Sequence, residues 1–121
     1  ANHNAIGEAI TFHEMIGMKR KEARFRYLRK RWTDRLQGLK NVRFYTNLDH
    51  RFSCAITTVG IEGITSPELA TWLQAKHAVF VTTIGNDFID GIRVTPNVYS
   101  TVEEIDRFGD AMVIAATKGI A

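Results

Sequence analysis

One arginine, Arg93, sits between Ile92 and Val94 in a short apolar run, and Thr95 follows it. Side chains alternate faces along a strand, so Ile92 and Val94 would share a buried face and Arg93 and Thr95 would share the other. A guanidinium is planar, permanently charged and matched to the two oxygens of a carboxylate. The chemistry such a position can do is to hold an anion in a fixed orientation. The alternative is an arginine on the solvated face of an edge strand, and spacing alone favours that plainer reading.

The other reactive side chains form no recognisable set. His3, His13, His50 and His77 show no metal-ligand spacing. His77 closes a helical segment, where an imidazolium is favoured by the helix dipole. Cys54 is the lone cysteine, so no internal disulfide is possible; it falls in an expected strand and reads as a small core residue. Glycine-rich phosphate loops, nucleophile elbows and zinc motifs are missing. No catalytic and no metal-binding residue is assigned.

The elements that must position Arg93 follow from periodicity. Ile6, Ala9, Ile10, His13 and Ile16 recur at helical spacing over 2–16, with no cap before them. Met18, Phe25, Leu28, Trp32, Leu36 and Leu39 give a second helical stripe over about 18–37, ended near Gly38. Strands are expected at 42–46, 53–60, 78–84 and 91–95. The last two form a hairpin across the turn at 86–91. Thr65-Ser-Pro-Glu starts a helix, through either a Thr65–Glu68 capping box or a Ser66 cap with Pro67 in the first turn. Ser100-Thr-Val-Glu-Glu starts another, carried by Val102, Ile105, Phe108, Met112 and Val113. The order predicts an α/β (α+β) two-layer fold: about four largely antiparallel strands, covered on one face by helices.

The 121 residues suffice for one domain, and 45% hydrophobic with 24% charged residues is the composition of a globular protein. No apolar run approaches the roughly 18–20 residues that span a bilayer. The charge is concentrated: nine Lys or Arg stand against two acids between positions 19 and 35, net +7, which leaves −4 elsewhere. The basic positions surround the apolar stripe, the pattern of a solvated helix, and Phe25 and Trp32 belong to the stripe rather than to a stacking face. Specific nucleic-acid binding is not expected.

Arg93-Val-Thr-Pro-Asn-Val-Tyr-Ser-Thr-Val-Glu-Glu-Ile-Asp resembles the arginine-containing segment in the C-terminal small domain of class V pyridoxal-phosphate (PLP) enzymes. This is the aminotransferase, isopenicillin-N-epimerase-like and cysteine-desulfurase group, of fold type I. Arg93, Tyr99, Thr101, Glu103, Glu104 and Asp106 match; Thr95 and Ser100 replace serine and asparagine. The opening helix, ending Phe12-His-Glu-Met-Ile-Gly17, resembles the segment that joins the large domain to the small one.

The resemblance implies that residues 1–17 are an interdomain-type helix and 18–121 the small domain. Arg93 would be the substrate-carboxylate clamp, with Tyr99 to Asp106 structural. The cofactor would be PLP in a longer parent, held by a large domain absent from this chain. None of the six lysines stands in a Schiff-base motif, so this chain alone is expected to bind no cofactor and to be catalytically incompetent. The partners implied are an amino-acid substrate, the large domain and further copies in a homo-oligomer; no membrane is implied, and the expected compartment is the cytoplasm. The hairpin ahead of Arg93 has no cysteine, which points to the aminotransferase or epimerase branch rather than to desulfuration. The rivals are a free-standing α+β ligand-binding or regulatory domain and a basic nucleic-acid-binding module.

Overall fold

The computed structural model describes residues 2–121, with side chains from Ala5 onward. Helix α1 covers Asn2–Ile16 and α2 Met18–Leu36; strands β1 (Val42–Phe44) and β2 (Thr57–Ile61) follow. Helix α3 is Ser66–His77, β3 is Thr82–Gly85, β4 is Asp90–Val94 and α4 is Val102–Lys118. The four strands form one antiparallel sheet in the order β1-β2-β4-β3. This is the expected α+β architecture.

The core lies between that sheet and helices α2, α3 and α4. Leu28, Trp32 and Leu36 recur at helical spacing on α2, Leu69 and Leu73 on α3, and Ile105, Phe108, Met112 and Ala115 on α4; all are buried. They cover Val59 and Ile61 of β2 and Ile92 and Val94 of β4. The Trp32 indole stands edge-on to Phe108, with centroids 5.2 Å apart, and meets Phe44 at 6.0 Å. Gly109 lets α2 and α4 approach closely, since a Cβ there would be 3.1 Å from Arg35 Cδ.

Both downstream helices start as their sequences predict. Thr101 Oγ1 accepts from Glu104 N–H at 3.1 Å, and the Glu104 carboxylate accepts from Thr101 N–H at 2.8 Å. At α3 the cap is Thr65, whose N–H and hydroxyl both donate to Glu68.

Three expectations need correction. Strand β2 begins at Thr57 rather than at 53, because α2 takes the preceding segment: Arg26 donates to Ser53 O, and Arg29 to Ser53 Oγ and Leu48 O. Strand β3 begins at Thr82 rather than at 78, because Ala78 is left-handed (φ 53°) and ends α3. The basic face of α2 is not simply solvated. Arg29 is buried; Arg24, Arg26, Arg31 and Arg35 reach carbonyl or carboxylate partners, and Lys30 pairs with Asp34.

Helix α1 stands apart from this core. The expected stripe residues Ile6 and Ile10 are exposed, and so are Phe12 and Met15 on its flank. Both the stripe and its flank therefore lie in water.

Asp106 joins α4 to α2. It accepts from Arg31 Nε at 2.6 Å and Nη2 at 2.7 Å, and from Arg35 Nη2 at 2.6 Å. The Arg31 hydrogen bonds, then the charges of Arg35 and Arg31, hold its carboxyl below the usual range. A carboxyl depressed by folding stabilises above its unfolded pKa, and that stabilisation is lost as pH falls through the folded value. The urea midpoint should therefore drop between about pH 5 and pH 2. Asp106→Asn should lower the midpoint at pH 7 and reduce that acid-side slope, read by unfolding curves at several pH values.

Candidate anion-binding site on the open sheet face

Burial of Ile92 and Val94 turns Arg93 to the face that no helix covers. β4 is an inner strand, not an edge, so the plainer reading of an edge-strand arginine does not hold. Cross-strand register sets Thr58 of β2 on one side of Arg93 and Thr82 of β3 on the other. Arg93 is exposed, and no described residue gives its guanidinium a hydrogen bond or an ion pair. A cation flanked by two hydroxyls on a flat, open sheet can take a carboxylate side-on through two parallel N–H···O bonds.

The turn beyond the strand is built firmly. Asn97 N–H donates to Ser100 Oγ at 2.9 Å, and Ser100 N–H to Asn97 O at 3.0 Å. Arg24 on α2 donates to Ser100 O at 2.9 Å. Thr101 and Glu104 cap the next helix, and Asp106 is the ion-pair hub. Tyr99 stays exposed, its hydroxyl accepting from Asn97 Nδ2 at 3.2 Å.

Thr95 does not stay beside Arg93. It lies past the end of β4 and lines a cleft of about 840 Å³, together with Phe25, Cys54, Ile56 and Tyr99. Cys54 is thus on the loop before β2, half-buried, and not in a strand as its neighbours suggested. The histidines remain scattered: His13 lies on the exposed α1, His50 is 3.6 Å from Asp49, and His77 ends α3 against Trp72. His3 falls outside the described side chains. Among the described residues, no group of three or more His, Cys, Asp or Glu could hold a metal, and no helix is long and apolar enough to cross a membrane.

Four residues of this face escape a reading centred on charge clusters. Arg43 and Tyr45 alternate with Phe44, which enters the core, so both point to the open face. The Tyr45 ring lies over Gly60 and Gly91. A Cβ on either glycine would meet its Cε2 at 3.2 Å, and the neighbouring strand's backbone more closely still: Asp90 O at 2.5 Å from Gly60, Val59 O at 2.8 Å from Gly91. The Tyr45 hydroxyl donates to Asp90 O at 3.2 Å. A glycine inside each of two strands was the signal that something approaches closely there.

A family model described as aminotransferase class-V matches residues 1–108. Among solved structures the chain is similar to an apo cysteine desulfurase from Thermococcus onnurineus NA1, at 26% identity and a TM-score of 0.74. That match covers 85% of this chain and 28% of the other. It is also similar to a NifS-like protein at 21% identity and a TM-score of 0.64, covering 78% of this chain and 28% of that one, a likeness of fold alone. The chain therefore spans little more than a quarter of the length of these neighbours. No curated protein matches it.

The glycine seat can be tested directly. Gly91→Ala forces a methyl against Val59 O and the Tyr45 ring, so it should cost about 1–3 kcal/mol in urea unfolding, the usual scale for overpacking. Tyr45→Ala in the same background should recover little, because the backbone clash remains.

Proposed function

The chain belongs to the aminotransferase class-V family, and from that premise we propose that it forms the part of a PLP-dependent enzyme that grips an amino-acid substrate by its carboxylate. The family is PLP-dependent. The observation that carries the reading is Arg93 itself: a guanidinium without a partner among the described residues, on an inner strand, facing out from an uncovered sheet between two threonines. Residues 18–121 would be the small domain, and 1–17 the helix that leads to a larger one. The exposed Ile10, Phe12 and Met15 support a partner over α1 in the assembled protein, whether the large domain or a second copy.

The described residues do not fit the cofactor itself. Lys19, Lys21 and Lys30 lie on α2, Lys76 on α3 and Lys118 on α4, while Lys40 follows α2; no strand carries a lysine beside Arg93. This chain's contribution is then orientation. Two parallel hydrogen bonds to the carboxylate fix the plane of the α-carbon substituents, and so which bond faces the reacting group. The capped and bonded turn behind Arg93 keeps β4 from shifting under that load.

Aminotransferase or epimerase chemistry is the branch we favour, because the β3–β4 turn ahead of Arg93 has no thiol. Desulfuration is a second reading, favoured by one observation: Cys54 shares a cleft with Thr95 and Pro96, just beyond Arg93. Sulfide release from L-cysteine that Cys54→Ala abolishes, with transamination untouched, would promote it. The nucleic-acid alternative is weakened by the partners that most of the α2 cations already have.

In the complete enzyme, Arg93→Ala should cost about 2–4 kcal/mol in kcat/KM for the amino acid, the worth of a charge-assisted pair plus the penalty of an unpaired carboxylate. Arg93→Lys should recover only part, since the fork is lost. Unchanged kcat/KM in Arg93→Ala would remove the assignment.

A further inference from the structure

Arg93 shares its sheet face with a second arginine whose head is drawn inward. Register sets Arg43 opposite Gly60, and Tyr45 N–H bonds Thr58 O, so Tyr45 lies beside the threonine that neighbours Arg93. Because the Tyr45 ring rests on the two glycines, it occupies the middle of the sheet instead of standing at the edge. The Arg43 guanidinium carbon stands 5.1 Å from the centroid of that ring. Arginine favours such a seat through attraction to the π-face. The stack carries the Arg43 charge from edge strand β1 toward β4, where Arg93 is two residues, about 7 Å, along the strand from Gly91.

Neither guanidinium has a carboxylate partner among the described residues. Glu62 and Asp90 line the cleft of about 570 Å³ beside Arg43, but neither forms an ion pair with it. Asp90 Oδ1 instead accepts from Ser66 N–H at 2.9 Å. Both side chains belong to the uncovered sheet face, Arg43 on β1 and Arg93 two strands away on β4, and a ligand with an anionic group at each end answers both. A ligand with one carboxylate leaves the second cation unanswered.

We propose that Arg43, seated on Tyr45, is a specificity-determining residue that selects amino acids bearing a second carboxylate on the side chain. Arg93 takes the α-carboxylate and Arg43 the distal one, with the Tyr45 ring as the floor between them. This inference rests on the role of Arg93 proposed above and adds the substrate class.

The test uses L-glutamate and L-glutamine, which match in shape and differ in the distal charge. Both are titrated into the 121-residue chain while backbone amide shifts are followed by NMR. L-Glutamate should bind at least about tenfold more tightly, the factor a modest charge-assisted contact supplies. In Arg43→Gln the two ligands should bind within about twofold of each other. Arg43→Lys, which keeps the charge and changes the head group, should retain part of the preference and guards against a folding defect, which lost amide dispersion would reveal. Equal binding of the two ligands with the Arg93 amide still shifting, or a preference unchanged in Arg43→Gln, would overturn the inference and leave the Arg93 reading standing. If neither ligand moves the Arg93 amide, both fall together.

Discussion

Ile92 and Val94 can be buried only by turning Arg93 outward, and much of the functional surface depends on that alternation. The sheet has one covered face, so β1, β2 and β4 must present their apolar residues to α2, α3 and α4. The same constraint sends Arg43 and Tyr45 outward from β1, because Phe44 between them meets Trp32. A slip of one residue in β4 would bury a guanidinium and expose two aliphatic side chains. The core thus sets the direction of charges that it never touches.

Electrostatics then separates most of the α2 arginines from the two on the sheet. On α2, all but Arg20 are structural. Asp106 and Asp110 answer Arg31 and Arg35, and Arg26 and Arg29 fasten the loop ahead of β2. Arg29 is the most confined; burial, followed by the nearby Arg26 charge, pulls its pKa down. It is compensated by the neutral oxygens of Ser53 and Leu48 rather than by a carboxylate. Among the described residues Arg43 and Arg93 have no such partners, as is also true of Arg20 and Arg107; what sets the first two apart is that both belong to strands and to the sheet face no helix covers.

Helix spans, caps and the inward positions of β4 could be read from the sequence, because periodicity and capping are local. The opening of β2 could not. Ser53 to Ile56 has strand composition, yet Arg26 and Arg29, 19 to 27 residues earlier, capture Ser53 and Leu48 and keep the segment off the ladder. Cys54 was placed in a strand by the same local argument. The left-handed Ala78 carries no glycine to announce it, so β3 was expected four residues too early. Arg93 was visible as a candidate; its companion Arg43 was not, because only the Tyr45 ring over two glycines brings the pair into relation.

Gly17 separates α1 from α2 with φ at 84°, a backbone conformation that side-chain-bearing residues rarely adopt. Gly17 N–H still donates to His13 O, and its own carbonyl accepts from Lys21 N–H, so both helices run without interruption up to that one residue. The fifteen residues of α1 make a stiff rod of about 22 Å. Rotating the Gly17 dihedrals by about 10° would sweep the far end of the rod by about 4 Å. A small torsional change at a single α-carbon is thereby geared up into a displacement the size of a side chain, and the pose of whatever rests on α1 is encoded in two backbone angles.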